Sequence, residues 1–101
     1  MAWKNFTKTL GSSAAEALAA ASAKARTIII QPKRANSHVI YIGGSGVTSA
    51  DGLELNYPIG VSTPLDRQVL GGGPGTAELD LLAIYVIGTN GEGVQGIYEE
   101  F

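Results

Sequence analysis

Apolar residues in this chain fall into short runs separated by Gly, Pro and Asn, and most of the runs are β-branched. Thr27-Ile28-Ile29-Ile30-Gln31 stops at Pro32, and Asn36-Ser37 reads as a turn. Val39-Ile40-Tyr41-Ile42 follows and ends at Gly43-Gly44-Ser45-Gly46; it is apolar on both faces, which predicts a strand covered on both sides. Asp51-Gly52 is a turn dipeptide. Leu53-Glu54-Leu55-Asn56-Tyr57 then alternates apolar and polar, as a half-buried strand does, before Pro58. Residues 65–70 form a weaker strand candidate, and Gly71-Gly72-Gly73-Pro74-Gly75 predicts a loop. Leu82-Ala83-Ile84-Tyr85-Val86-Ile87 is a strand, and Asn90-Gly91 is a hairpin signal, since both residue types tolerate positive φ. Val94-Gln95-Gly96-Ile97-Tyr98-Glu99 is the expected returning strand. About six strands with turns every ~8–12 residues favour a sandwich or a barrel.

The first quarter of the chain has a different pattern. Residues 1–10 are a polar arm carrying Trp3 and Phe6. Residues 11–24 read as one short helix: Ser13 and Glu16 have capping-box spacing, and alanine, the best helix former, dominates residues 14–25. Leu18 is the one large apolar residue on that helix, so it must pack on its own domain or await a partner. The expected fold is therefore mainly β. It is a small antiparallel β-sandwich or barrel, jelly-roll-like, over residues 26–101, preceded by an extended arm and short helix over residues 1–25.

Composition narrows the function classes. At 101 residues the chain fits one domain with a modest core. Charged residues are 16%, below the ~25% usual for soluble domains, which suits a surface partly hidden against partners. With no cysteine, disulfides, thiolate catalysis and cysteine-ligated zinc are excluded. No apolar run approaches the ~20 residues of a membrane span, and the start lacks a signal-peptide apolar core, so neither a membrane nor export is expected. A net charge of −2 argues against a dedicated nucleic-acid binder. The charge is unevenly placed. Lys4, Lys8, Lys24, Arg26, Lys33 and Arg34 face only Glu16 in the first 34 residues, whereas Arg67 alone opposes eight carboxylates in the rest. Either the basic arm docks on an acidic neighbour, such as the body of another copy, or one fold brings both halves together and the charges cancel locally.

Candidate chemistry is thin. His38 is the one histidine, without the partners of a multi-histidine metal site or a nucleophile-elbow serine. Gly43-Gly44-Ser45-Gly46 follows a strand as a phosphate loop would, but no Lys-Ser or Lys-Thr closes it and no helix follows. The near carboxylate pairs are Asp51/Glu54, Glu78/Asp80 and Glu99/Glu100; a glycosidase would need a sugar cleft around such a pair, and a chain this small rarely builds one. No catalytic residue, cofactor or metal site is therefore expected. Trp3 and Phe6 either fold back on the domain or anchor in a neighbour.

Two stretches resemble a known class. His38-Val39-Ile40-Tyr41-Ile42-Gly43-Gly44-Ser45-Gly46, running on to Leu55, and Ala83-Ile84-Tyr85-Val86-Ile87-Gly88-Thr89-Asn90-Gly91-Glu92-Gly93-Val94-Gln95 are similar to small β-structured virion proteins of tailed phages. That class includes capsid decoration (cement) proteins and domains of head or tail appendages. The resemblance covers roughly residues 26–99. It implies a homo-oligomer, often a trimer, that contacts the major capsid protein on the capsid surface after assembly in the host cytoplasm, and it carries no catalytic residues. The leading expectation is thus a non-enzymatic decoration protein that stabilises the head. Its partner interface would use Trp3, Phe6, Leu10 and Leu18 as apolar anchors, with Lys4 and Lys8 meeting acidic groups. The alternative is a tail, fibre or head-appendage module that binds host-surface glycans through residues 43–50 and 71–76.

Overall fold

The computed structural model of the protein describes residues 2–56, 66–72 and 78–101. It is mainly β, with two antiparallel sheets. In chain order the strands are β1 (Trp3–Thr9), β2 (Glu16–Ala17), β3 (Lys24–Pro32), β4 (Ile40–Gly43) and β5 (Leu53–Leu55). They continue with β6 (Gln68–Gly71), β7 (Leu79–Asp80), a 3-10 turn at Leu81–Ala83, β8 (Tyr85–Ile87) and β9 (Gly93–Glu100). The first sheet runs β1-β9-β3-β6, with β7 also on β3; the second runs β2-β8-β4-β5.

One core joins the two sheets. Ile28 and Ile30 of β3 and Val94 of β9 meet Ile40 and Ile42 of β4, Leu55 of β5 and Val86 of β8, all essentially inaccessible to solvent. After a bulge between Ala25 and Thr27, every second residue of β3 from Ile28 points inward, as in β4, the two-residue period of a strand. The expected strand at residues 27–31 is β3, longer at its start. The expected strand at 39–42 is β4, with Tyr41 half-buried on its second face. The weak candidate at 65–70 appears as β6. Tyr57, Pro58, Leu65 and the glycine loop from Gly73 to Gly75 lie outside the described residues.

Three expectations are corrected. The short N-terminal helix does not form. Glu16 does not cap Ser13; it turns back to accept hydrogen bonds from the Gly11 N–H at 2.9 Å and the Ser12 hydroxyl at 3.2 Å. A helix here would bury Leu18 and little else. The extended path places β2 beside β8, bonds the Leu18 N–H to the Ile84 carbonyl at 2.8 Å, and buries Leu10, Leu18 and Ala25 together. Burial outweighs the alanine propensity, which is worth only tenths of a kcal/mol per residue, about 0.5.

The second correction concerns Asn90-Gly91. A turn is present, with Gly91 at φ +92°, but it does not close a hairpin. β8 lies in the second sheet, whereas β9 crosses to the first and enters between β1 and β3. There it pairs along its length with both neighbours, far more than three-residue β8 offers. Gly96 permits this fit: a Cβ on it would lie 1.9 Å from the Ile29 carbonyl oxygen and 3.0 Å from the Phe6 ring. Thirdly, the strand expected over residues 82–87 starts late. The Asp80 carboxylate accepts the Leu82 N–H at 3.0 Å and holds the 3-10 turn ahead of β8.

Candidate functional site

The stretch expected as an extended arm is β1, an edge strand of the first sheet, in continuous register with β9 from Trp3↔Glu99 to Thr9↔Gly93. The Glu100 N–H donates to the Ala2 carbonyl and the Leu10 N–H to the Glu92 carbonyl, so the even residues face β9. By the alternation of an antiparallel ladder, Trp3, Asn5, Thr7 and Thr9 direct their N–H and C=O groups to the open edge. No described strand covers that edge. An unpaired row of this kind is a template for another strand.

The six expected interface residues divide sharply. Trp3 is 50% exposed at the start of the edge. Phe6 is half-buried, packs against the core, and sets its ring 6.3 Å from that of Tyr98. Leu10 and Leu18 are corrected: at 1% and 4% exposure they belong to the chain's own core and cannot anchor in a neighbour. Lys4 pairs with Glu100 at 3.4 Å and Lys8 with Glu16 at 3.0 Å. Lys24 adds contacts to Glu78 and Asp80. The fold thus pairs Lys4 and Lys24 with carboxylates of the acidic segment, while Lys8 meets Glu16 of its own segment.

The solvent face of the first sheet was not foreseen. Three cross-strand rows cover it. Trp3, Glu99, Thr27 and Gly71 form one; Asn5, Ile97, Ile29 and Val69 the next; Thr7, Gln95 and Gln31 the third, with Arg67 at its end. The middle row is apolar across three strands. Val69 is 58% and Ile97 37% exposed, beside half-exposed Trp3. A shallow groove of about 480 Å³ lies between Ile29/Ile97 and the third row.

Other chemical groups serve the fold. Ser37, His38 and Glu92 meet, but the Ser37 hydroxyl and the Glu92 carboxylate both reach the same ring nitrogen of His38, Nδ1, at 3.2 and 2.8 Å. A hydrolytic relay needs the serine on the opposite ring nitrogen. Glu92 also accepts the His38 N–H at 3.0 Å and the Ser37 hydroxyl at 3.0 Å. Burial alone would raise the Glu92 carboxyl, and these bonds outweigh it and hold it below its ordinary range. Asp80 accepts the Ser22 hydroxyl at 2.6 Å, the Ala23 N–H at 2.9 Å and the Leu82 N–H. These bonds, with Lys24 beside them, hold its carboxyl far below the usual carboxylate range. Buried Asn36, expected in a turn, instead bonds both ways to Gly93: its amide donates to the carbonyl at 2.8 Å and its side-chain oxygen accepts the N–H at 3.1 Å.

The glycine loop after β4 packs Val47 inward and offers no aromatic platform for a sugar ring. A second hollow of about 490 Å³ beside it, touching Gly44, Leu53, Leu70 and Ile84, has Asp51 as its one titratable lining group among the described residues. Among the described residues no group of three potential metal ligands converges, and no helix is long and apolar enough to cross a membrane. In comparison with known proteins, no family model matches this chain, and neither a curated protein nor a solved structure matches it.

Proposed function

We propose that this chain acts by docking on other protein, as a structural component of a tailed-phage virion. Within that class it is a capsid decoration protein that binds the major capsid protein, works as a homo-oligomer, and has its two sheets stacked as a small β-sandwich. The observation that carries docking is the open edge of β1, where four residues turn their backbone groups outward beside a half-exposed tryptophan. Strand addition at such an edge gains main-chain hydrogen bonds, and an aromatic anchor supplies apolar contact. The virion assignment rests on the resemblance in the stretches 38–55 and 83–95.

Two measurements test this. Purified protein is titrated onto phage shells, with saturable binding to mature shells and none to precursor shells expected; absence of binding to any shell contradicts the virion reading. Asn5→Pro then tests the edge. The Asn5 N–H faces away from β9, so proline removes a donor only from the open side, and the fold keeps its ladder. Binding is expected to fall about tenfold or more, since proline blocks the incoming strand. Unchanged binding by a folded Asn5→Pro protein places the docking surface elsewhere.

A further inference from the structure

We propose that the outer face of the first sheet binds a second copy of this chain, about a two-fold axis over Ile29 that sets Glu99 of each copy against Arg67 of the other. The proposal is independent of the virion reading and concerns a face that strand addition at β1 leaves open.

Lys4, Lys8 and Lys24 are neutralised within the chain, but among the described residues neither Arg67 nor Glu99 has an ion-pair partner. Both belong to the outer face. Glu99 follows Tyr98, which packs inward, and pairs across to Thr27; Arg67 precedes Gln68 of β6 and lines the groove with Gln31 and Gln95. They are the one anion and the one cation of the three rows.

Their placement is the second point. Strand order puts Glu99 on β9 and Arg67 at the start of β6, one strand to either side of β3. By register they are also one row to either side of Ile29, so Ile29 lies midway between them. Strand spacing of about 4.8 Å and a rise of about 3.4 Å per residue separate the two by roughly 17 Å. A two-fold axis in the plane of the face, perpendicular to that diagonal at Ile29, carries the position of Glu99 onto that of Arg67. Two copies then form both charge pairs at once, with Ile29 against Ile29 and with Ile97 and Val69 packed around them. Such an isologous contact closes at two subunits.

The size of the face sets the strength. Four strands by three rows give a planar footprint of roughly 400 Å² per copy, about half of the ~800 Å² per partner of a standard specific interface. The pair is therefore weak, concentration-dependent and weakened by salt.

Sedimentation equilibrium of the full chain across a wide concentration range tests this. The wild type is expected to dimerise. Glu99→Arg and Arg67→Glu each bring like charges together twice per dimer, so each is expected to weaken association by about tenfold or more. The exchanged variant, Glu99→Arg with Arg67→Glu, restores both pairs and is expected to return close to wild-type association. Circular dichroism confirms that each variant is folded; the substitutions are at surface positions of sheet already paired on both sides or at a strand start. A chain that stays monomeric at the highest concentration, a trimer, a dimer indifferent to the single reversals, or an exchanged variant that stays weak each overturns the proposal.

Discussion

At the residue scale, a few polar side chains hold the connections of this fold, and their loss has calculable signs. Asp80 draws the turn after β2, the start of β3 and the 3-10 turn together. Its folded-state pKa lies below the unfolded value of about 3.9. Its stabilising contribution is thus complete above that unfolded value and is lost as pH falls through the folded one. Thermal unfolding measured from pH 7 downward is expected to lose stability below about pH 4, and Asp80→Asn is expected to flatten that acid limb while lowering the melting temperature at pH 7. Asn36 behaves differently, because it carries no charge. Asn36→Ala leaves the buried N–H of Gly93 without its partner, at about 1–3 kcal/mol, while the Gly93 carbonyl keeps the Lys33 N–H. Chemical denaturation is expected to show this loss with little pH dependence. The role of Asn36 was not legible in the sequence, where Asn-Ser before a strand has the chemistry of a turn. Its partner lies 57 positions away, and no local pattern encodes that contact.

At the element scale, strand identity was readable and strand partnership was not. The β-branched runs that became β3 and β4 carry their structure in their own period. The Asn90-Gly91 turn was also local, but the destination of β9 was decided by two long neighbours that the turn cannot see. The N-terminal helix failed for a related reason. Alanine favours a helix weakly, while Leu10, Leu18 and Ala25 supply apolar area only along the extended path. Leu18→Ala is accordingly expected to cost about 2–5 kcal/mol in a denaturant titration, as a core truncation does, and a cost near zero would restore the idea of a loosely held segment. The outer face does carry a signal in the sequence. Thr27-Ile28-Ile29-Ile30 is apolar on both faces, so Ile29 was bound to point away from the core that takes Ile28 and Ile30. Proline scanning separates the two sides of β1. Phe6→Pro removes an inward ladder bond and is expected to lower the melting temperature far more than Asn5→Pro.

At the scale of the whole molecule, residues 1–25 are continuous with the rest. β1 completes one side of β9, β2 borders β8, and Leu10 and Leu18 sit in the shared core. Deletion of residues 1–25 is therefore expected to abolish the cooperative thermal transition, where a detachable arm would leave it intact. Lys4 and Lys24 of the basic segment form ion pairs that tie β1 and β3 to Glu100, Glu78 and Asp80 of the acidic one. Among the described residues the fold leaves outward an unpaired strand edge and a sheet face with an apolar middle row, the two surfaces proposed to meet other protein. Amide hydrogen exchange on β1, in the free protein and bound to mature shells, tests that account most directly. The amides of Lys4, Phe6 and Lys8 are expected to be protected in both states, and those of Trp3, Asn5, Thr7 and Thr9 to become protected only on the shell. Exchange at Asn5 and Thr7 that stays as fast in the bound state as in the free one would contradict docking by strand addition.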